Sequence, residues 1–443
     1  MGRQILIRIS QQAASISHLI DDDRISTLPR VDIGSTLTFT MEHALTVEQK
    51  SLKVPGVIFL ITVLNMTAPL STDMYMPSIP TMMAFFDTSA SILNLALVGF
   101  FFFFAVGMLV FGPLSDKYGR RPVLLSGLAI YTLFSALCAL STSVWQLISF
   151  RVIEGLGAGC MVSVSTALVK DCFDVKTRGT ILAIIQSMSI IAPMVAPIIG
   201  AFIARYTSWR VTFWVLFGIS TTCLLVTLLL QETLPPQARY HGKPFGSIGR
   251  LIAVGKNKSF SFFLLVVAMI PTAFMAYIAV SSYIYIDFFA LSETTYSLYF
   301  AINSAVLILG PILYIRANRS MATRKVVPAL FTLAAVSGAA ILLLGRISPL
   351  AFLLSFAPLS FCSSSIRPLS TNILLNQQDS DTGSASSLIN FGNTALGSLG
   401  MVLGTLPWSN FVTGLGTIVL TCALLGLAGW ILFTKSGLRL KGV

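Results

Sequence analysis

The sequence predicts an all-α integral membrane protein with twelve transmembrane helices, and three observations support that prediction. Charged residues make up 10% of the 443 residues, against about 25% in ordinary soluble domains. Hydrophobic residues make up 55%, and the mean hydropathy is +0.84. A soluble fold has no way to cover so much apolar surface, so lipid must be the solvent for much of the chain.

Twelve apolar segments have the length of a membrane span, which is about 20 residues for a helix. An even number of spans places both termini on the same side of the membrane. The segments lie near 55–76, 91–112, 122–142, 144–168, 178–203, 209–230, 259–284, 294–315, 326–345, 349–374, 383–405 and 411–434.

The basic residues predict which side of the membrane holds the termini. If both termini are cytoplasmic, 24 of the 29 Lys and Arg residues lie in the tails and the cytoplasmic loops. Three lie in outside loops, and Arg151 and Arg367 lie within spans. The positive-inside rule therefore predicts cytoplasmic termini. This placement also explains the net charge of +12 without a nucleic-acid partner.

The spans fall into two sets of six, separated by a polar segment. The dipeptide Gly112-Pro113 recurs as Gly310-Pro311, 198 residues later. Together with the span count, this weak repeat predicts a duplicated six-helix unit, an architecture typical of transporters. The predicted regions are a cytoplasmic tail at 1–54, a six-helix half at 55–230, a cytoplasmic loop at 231–258, a second six-helix half at 259–434, and a cytoplasmic tail at 435–443.

The N-terminal tail has no helical period, and we expect it to be disordered. Met41 begins a segment that resembles a natural start immediately before the first span. Our hypothesis is that residues 1–40 are dispensable or follow from a mis-assigned start codon. A chain that begins at Met41 should then keep its expression and activity.

Cofactor and enzyme chemistry have no support in the sequence. The six cysteines are scattered without a CxxC motif, and the three histidines lie outside the predicted spans, so we predict no disulfide framework and no metal site. The sequence also lacks the G-x-x-x-x-G-K-[ST] loop of nucleotide-driven pumps. An ion gradient must then supply the energy for any transport.

Four motifs in order along the first half resemble those of the major facilitator superfamily. They are GPLSDKYGRRP at 112–122, RVIEGLGAG at 151–159, APMVAPIIGA at 192–201 and STDMYMPSIP at 71–80. The last is similar to the Bcr/CflA drug-efflux subfamily. Glu154 stands where the family usually has glutamine, and Ala192 and Ala196 stand where antiporters often have glycine. The resemblance implies two pseudo-symmetric six-helix halves in the bacterial inner membrane, functional as a monomer.

The resemblance also implies a conformational latch in the charged segment that follows span 2. Asp116 would face the positive N-terminus of span 11, near residues 382–384. The arginines would pair with acids at the end of span 4, such as Asp171 or Asp174. The alternative is a charged loop that only fixes the topology. The latch residues are Gly112, Asp116, Gly119, Arg120, Arg121 and Asp171.

Asp73 is the leading candidate for a proton carrier. A carboxylate inside a span costs about 2.5–3.5 kcal/mol on insertion scales and marks a functional site by default. Burial favours the neutral form of an acid, so such a group can take up and release protons. Since no histidine lies in the spans, acids must carry any proton relay. The alternative places Asp73 at the wet outer end of span 1, where it would be ionised and would cap a break before Pro77.

Arg151 and Glu154 are predicted to form a charge network with Asp73. At i, i+3 on span 4, Arg151 and Glu154 can pair with each other. Arg151 can instead pair with Asp73 across spans 1 and 4. Proton and cargo would then compete for one network, which is a physical basis for exchange. The alternative is a static ion pair that holds the bundle together.

Span 5 and the central cavity supply the remaining candidate residues. Small residues at i, i+4 and i+8 allow close helix packing, and two prolines bend the span, as expected for a helix that seals an opening. The motif residues are Ala192, Pro193, Ala196, Pro197 and Gly200. The candidate substrate cavity contains Asn65, Met66, Tyr75, Met161, Tyr277 and Arg367, of which Arg367 either snorkels to the surface or attracts an anion.

These observations predict a proton-coupled antiporter that exports small amphipathic compounds, as multidrug-efflux members of the family do. Its partners would be a small-molecule substrate, protons and the lipid bilayer, with no nucleic acid and no cofactor. One alternative is a dedicated exporter of an endogenous metabolite such as a siderophore. Another is a non-transporting membrane sensor or scaffold. Sodium is a further alternative to protons, because carboxylates bind both ions.

Overall fold

The computed structural model describes residues 49, 52–240, 246–317, 323–377 and 382–436. Within these residues the regular structure is helical throughout, and twelve long helical segments follow one another along the chain. The predicted all-α membrane fold is thereby confirmed. The expectations for residues 1–40 and for the last residues of the C-terminal tail lie outside the described residues.

The two predicted sets of six spans are present, with shifted boundaries. Ten of the twelve described segments are long and apolar enough to cross a membrane, and span 5 contributes the shorter apolar stretch Ile191–Tyr206. Spans 1 to 6 are Val54–Phe86, Ala90–Tyr118, Arg120–Leu140, Val144–Cys172, Val175–Tyr206 and Trp209–Leu229. Spans 7 to 12 are Lys258–Phe288, Glu293–Ala317, Thr323–Leu344, Pro349–Leu375, Thr382–Gly404 and Phe411–Lys435.

Span 1 is longer than predicted and is broken. Its first helix ends at Asp73, a 3₁₀ turn covers Met76–Ser78, and a second helix runs from Ile79 to Phe86. Pro77 within the turn has no backbone N–H, so the regular hydrogen-bond ladder does not continue through it. The predicted end of the span at residue 76 is therefore wrong, and Asp73 lies at the break within the span.

The predicted loop at 112–122 is also wrong, because helix occupies almost all of it. Span 2 continues to Tyr118 and span 3 begins at Arg120, so one residue, Gly119, joins them. Gly119 has a φ of 102°, a left-handed region that favours glycine. Gly112 and Asp116 therefore lie in the last turns of span 2.

Short helices occur at two further places that we predicted differently. The central segment 231–258 contains a 3₁₀ turn at Pro236–Ala238 and an α-helix at Gly246–Gly255, so it is more than a loop. Span 7 ends in a π-helical turn at Tyr283–Phe288. Such turns are rare in proteins and are frequent at functional sites.

The two halves meet along a seam at one end of the bundle, where span 2 packs against span 11 and span 5 against span 8. The described hydrogen bonds between the halves are Asn94 to the Ala279 carbonyl (3.2 Å), Ser91 to the Thr405 carbonyl (2.5 Å), Ser297 to the Pro197 carbonyl (2.9 Å) and Tyr296 to the Met76 sulfur (3.9 Å). All four lie at the end of the bundle that also carries Asp73. We call this the closed end and the opposite end, which carries Asp116, the open end.

Candidate functional site

A buried ion pair lies inside the first half. Arg151 Nη1 donates to Glu154 Oε2 at 2.8 Å, and both side chains are completely buried. The same Nη1 donates to Ser71 Oγ at 2.7 Å, and Ser135 Oγ donates to Glu154 Oε1 at 2.6 Å. The pair therefore links spans 1, 3 and 4 of one half. It makes none of the described hydrogen bonds across the seam.

Aromatic rings surround the rest of the Arg151 guanidinium. Its carbon lies 4.1 Å from the ring centre of Phe100, 5.1 Å from Tyr75 and 5.8 Å from Phe213. The Nε and Nη2 atoms have no hydrogen-bond partner among the described residues. Ring faces attract a cation, and desolvated contacts of this kind contribute about 2 kcal/mol. The arginine is thus held by one acid, one hydroxyl and three rings.

Asp73 lies apart from this pair. Its side chain is 4% exposed and accepts a hydrogen bond from Thr72 Oγ1 at 3.0 Å. Of the two partners open to Arg151 in the sequence, the structure pairs it with Glu154 and not with Asp73. No described Lys or Arg forms an ion pair with Asp73. Its electrostatic neighbours include Tyr277 and Tyr296, which belong to the other half.

The span 5 motif lies in the seam beside Asp73. A Cβ atom at Gly200 would overlap the Met74 carbonyl at the break in span 1, so this contact requires glycine. The Pro197 carbonyl accepts the hydrogen bond from Ser297 of the other half. Ala192, Ala196, Pro197 and Gly200 are buried, Pro193 is half-buried, and the helix continues through both prolines.

The predicted latch residues cluster at the open end. Arg120 Nη1 contacts Asp116 Oδ1 at 2.5 Å and its Nε contacts Asp171 Oδ2 at 2.8 Å, as predicted for Asp171. Arg121 instead donates to the Leu228 carbonyl, and Asp174 accepts from the Thr177 amide at the start of span 5. The side chain of Asp116 is 54% exposed. The side chains of residues 382–384 lie outside the described ones, so the contact of Asp116 with span 11 stays a prediction.

Sequence reasoning missed Glu232, which organises the same corner. Its carboxylate accepts hydrogen bonds from the amides of Arg120 and Arg121 at the start of span 3, at 2.9 and 3.2 Å. A Cβ atom at Gly119 would overlap this carboxylate. The motif glycine and the acid after span 6 therefore fit one another. The signal available in the sequence was the segment QETLP at 231–235, which is similar to the Bcr/CflA subfamily but does not indicate a partner for the acid.

The predicted cavity residues have different environments. Tyr75, Met161 and Tyr277 are buried in the packing of the bundle, and the Tyr277 ring stacks on Phe356 with centroids 4.0 Å apart. Asn65 is half-buried and donates to Ser165 Oγ at 2.9 Å. Met66 is half-buried, and Arg367 is exposed. In this conformation, then, three of the six predicted residues are closed off from any ligand.

Among the described residues, no group of three or more His, Cys, Asp or Glu side chains is arranged to hold a metal ion. The chemistry available at the site is that of one buried acid in the seam, one buried ion pair, and an arginine between two acids at the open end. These groups can bind and release protons and form or break ion pairs. Such changes suit a conformational cycle.

Known proteins share both sequence and fold with this chain. It is 29% identical over 384 residues to YdgK, an MFS-type transporter of Bacillus subtilis (strain 168), covering 85% of this chain and 95% of that protein. It is 30% identical over 177 residues to the multidrug resistance protein MdtL of Escherichia coli O139:H28 (strain E24377A / ETEC). That match covers 40% of this chain and 45% of MdtL.

Solved structures of transporters have the same fold at low sequence identity. A bacterial homologue of the human lysosomal transporter Spinster, in an inward-facing and occupied conformation, superposes with a TM-score of 0.70 at 14% identity. It covers 86% of this chain and 97% of that one. A D-xylose–proton symporter superposes with a TM-score of 0.64 at 14% identity, covering 84% and 97%.

The family profile of the Major Facilitator Superfamily matches residues 61–401, which is most of the chain. The matched region begins in span 1 and ends in span 11, so it includes most of both six-helix halves and the spans that form the seam between them. The relatives and structural neighbours are membrane transporters and not enzymes. The chain is a multi-pass membrane transporter that belongs to the Major Facilitator Superfamily.

Proposed function

We propose that this protein is a proton-coupled antiporter that exports small amphipathic compounds by alternating access. The observation that carries the proposal is the position of Asp73, a buried acid without a cationic partner, in the seam between the halves. Its relative MdtL is named a multidrug resistance protein. A transporter that exchanges a proton for cargo needs a titratable group at the place where the conformation changes.

The environment of Asp73 connects its charge to the state of the seam. An ionised carboxylate costs several kcal/mol to bury when no cation compensates it. The closed seam therefore favours the neutral acid, and loss of the proton favours an opened, hydrated seam. The described hydrogen bonds across the seam are to carbonyls and a sulfur atom, and none of the ion pairs among the described residues crosses it.

The basic residues support the direction of transport. The open end carries the Arg120 cluster and the central segment, which the positive-inside rule assigns to the cytoplasm. This conformation would then accept cargo from the cytoplasm while Asp73 is protonated. Opening of the seam would release the cargo to the outside and expose the proton-binding site to the outside solution. The proton gradient would return Asp73 to its neutral form and reset the cycle.

The latch would stabilise the opposite conformation. With Asp116 exposed here, a contact with the start of span 11 would form only when the open end closes. Arg120, held by Asp171, would keep Asp116 in place in both conformations. Asp116→Asn should therefore reduce transport without lowering the amount of protein in the membrane. Unchanged transport would indicate that the charged segment only fixes the membrane topology and does not act as a latch.

A proton-release assay tests the proposed function. Everted membrane vesicles energised by respiration would receive a panel of amphipathic compounds, with an internal pH dye as the readout. We expect substrates to release protons from vesicles that contain the wild-type chain and not from vesicles that contain Asp73→Asn. Ser78→Ala, a buried residue near the break whose hydroxyl has no described hydrogen-bond partner, is the matched control.

The other outcomes select between the remaining functions. Release of protons by a single compound class, with competition confined to it, would favour a dedicated metabolite exporter. Transport that depends on a sodium gradient and not on a proton gradient would identify sodium as the coupling ion. An absence of flux for the whole panel, with Asp73→Asn indistinguishable from wild type, would support a sensor or scaffold.

A further inference from the structure

Arg367 is a charged residue that the proposed proton coupling does not use, and the geometry of span 10 indicates which way it faces. The exposed apolar residue Leu354 and the exposed Pro368 mark the outer face of this helix. At about 100° per residue, Arg367 lies about 140° around the helix from Leu354. It therefore projects from the face that turns towards the interior of the bundle.

The residues above Arg367 on the same face confirm that this face is internal. Phe356 packs on Tyr277 of span 7, with ring centroids 4.0 Å apart. One turn further along, Ser360 Oγ donates to Asn303 Oδ1 of span 8 at 2.7 Å. Arg367 follows seven residues later on the same stripe. The face thus changes from aromatic at the closed end, through a buried polar pair, to arginine towards the open end.

Arg367 is accessible even though protein surrounds it. Its side chain is exposed, while Phe356 and Ser360 above it are buried. Because this exposed side chain projects from the face that turns towards the bundle, we infer that it faces a cleft and not the outer surface. Such a cleft would lie beyond the contacts of the closed end, where a cargo entering from the open end would arrive.

The other intramembrane charges differ from Arg367. Arg151 and Glu154 neutralise one another and are completely buried, and Asp73 is sealed in the seam. Of these four groups, Arg367 alone is exposed. None of the three ion pairs among the described residues includes it. A cargo in the cleft would therefore meet a single uncompensated positive charge.

We propose that Arg367 binds an anionic group of the cargo, so that the exported compounds are amphipathic organic anions. The class includes carboxylates, sulfonates and phenolates attached to an apolar body. A guanidinium binds such groups through paired, charge-assisted hydrogen bonds, and the low dielectric of a cleft strengthens them. The same charge repels organic cations. This inference rests on the proposed export function and defines its substrate class.

Two dyes that share one ring system test the proposal. Energised everted vesicles that contain the full chain would be supplied with carboxyfluorescein, an anion, or rhodamine 6G, a cation on the same xanthene scaffold. We expect the wild type to accumulate the anion. Arg367→Gln should raise the KM for the anion about tenfold with little change in kcat, and Arg367→Lys should recover most of the affinity. Arg367→Glu should shift the preference towards the cation.

The matched control is Arg324→Gln, an exposed arginine at the start of span 9 that makes no described ion pair. It should leave the KM of both dyes unchanged. Gel filtration in detergent and membrane abundance would establish that each variant folds. If Arg324→Gln and Arg367→Gln raise the KM equally, the effect comes from surface potential, and the proposal is overturned.

Other outcomes separate this inference from the proposed function. If Asp73→Asn abolishes transport of a dye while Arg367→Gln leaves its KM unchanged, proton-coupled export stands and the assignment of Arg367 is wrong. Transport of the cation by the wild type, with none of the anion, also overturns the assignment. Transport of neither dye overturns it as well, and the proton-release panel then decides independently whether the chain is a proton-coupled exporter.

Discussion

The two halves of the protein place different chemistry at equivalent positions. In the first half, a side chain at Gly112 would contact Ser163, and in the second half a side chain at Gly310 would contact Ser364. The Gly-Pro repeat seen in the sequence thus marks the same helix contact twice, between spans 2 and 4 and between spans 8 and 10. Ser364 follows Ser163 by 201 residues, which sets the register for comparing span 4 with span 10.

In this register the buried ion pair of the first half has no charged counterpart. Arg151 and Glu154 correspond to Phe352 and Ser355. Ser135 of span 3 donates to the Glu154 carboxylate, while its counterpart Ser337 of span 9 donates to the Ser355 backbone carbonyl at 2.6 Å. Both halves thus have a serine at this place, whereas only the first half has the acid.

The second half fills the corresponding space with aromatic rings. Phe352 packs against Tyr285 and Phe356, with ring centroids 5.3 and 6.1 Å apart. Tyr277 lies 19 residues after the first residue of span 7, as Asp73 lies 19 residues after the first residue of span 1. An ion pair requires one arrangement of its partners, whereas aromatic packing tolerates small shifts. We therefore expect the first half to be the more sensitive to substitution.

The largest effect should come from removing one member of the buried pair. Arg151→Gln or Glu154→Gln leaves an uncompensated buried charge, which costs about 3–5 kcal/mol. Phe352→Leu, at the counterpart of Arg151, should cost about 1–2 kcal/mol, because part of the ring volume is retained. Thermal unfolding of the purified proteins in detergent would measure the difference.

The double variant Arg151→Met with Glu154→Met tests what the pair is for. Replacing both members with apolar side chains is often neutral for stability. If stability returns and transport returns with it, the pair is a static connection between spans 1, 3 and 4. If stability returns while transport stays lost, the pair participates in coupling. A double variant as unstable as the single ones would contradict the idea of an uncompensated charge.

The next effect concerns close backbone contacts, which both halves use. Gly200 approaches the Met74 carbonyl of span 1, and Gly400 approaches the Thr272 carbonyl of span 7. Alanine at either position should cost about 1–3 kcal/mol through overpacking. Gly218→Ala is the control, since nothing lies within 4 Å of its added carbon. It should be neutral or slightly stabilising, because alanine favours helix. Equal melting temperatures for the three variants would contradict the packing argument.

A smaller effect is expected where the halves meet at Asp73. The Tyr277 hydroxyl is buried beside Tyr285 and lies in the field of Asp73. Tyr277→Phe removes a group that can donate to the ionised acid, so the closed seam should tolerate the charge less well. The loss of one such bond is about 0.5–1.5 kcal/mol, or about two- to twelvefold in the population of the opened seam.

Labelling of a buried cysteine in the seam measures this effect. Ser78→Cys is suitable, because Ser78 is completely buried and its hydroxyl has no described hydrogen-bond partner, and the six native cysteines are buried. The rate of reaction with a membrane-impermeant maleimide should rise with pH as Asp73 ionises, and should be flat in Asp73→Asn. Tyr277→Phe should raise the high-pH rate about two- to twelvefold. Tyr118→Phe, whose side chain is exposed at the open end, is the control and should not.

The sequence predicts the spans well because their signal is local. Length and hydropathy are read within one segment, and twelve such segments predict the number of helices correctly. The break in span 1 was predicted only within the alternative for Asp73, because Pro77 falls inside an apolar stretch that continues to Phe86. The segment at 112–122 was predicted as a loop because its charges suggest solvent, yet Lys117 and Asp116 lie on the last turn of a helix.

Partners of single residues were harder to predict, because they depend on contacts between distant segments. The spacing of Arg151 and Glu154 permits the observed pair, and the sequence alone left Asp73 as an equal alternative. The choice depends on how span 1 packs against span 4, where Ser71 accepts a hydrogen bond from the arginine. The contact between Asp171 and Arg120 was predicted from the family motif. Glu232 carried no motif that indicated its partners.

The smallest effect should come from Glu232, where the halves differ again. Its Oε1 accepts the amides of Arg120, Thr233 and Leu234, and its Oε2 accepts the amide of Arg121. Gly119, the residue before span 3, has no side chain to cap the helix, so the acid supplies the cap from a distant segment. The last span of the second half is followed by Ser436, with no acid at its end.

Two substitutions at Glu232 distinguish the contributions of its two carboxylate oxygens to stability. Glu232→Ala removes all four acceptor contacts and should cost about 1–2 kcal/mol, the usual loss for a helix cap. Glu232→Gln keeps one carbonyl oxygen for the Oε1 contacts, so its cost should be about half of that. Thermal unfolding measures both values. If both variants melt with the wild type, water replaces the cap and the acid has no structural role there. If stability falls as expected but transport falls much further, Glu232 acts through Arg120 on the latch.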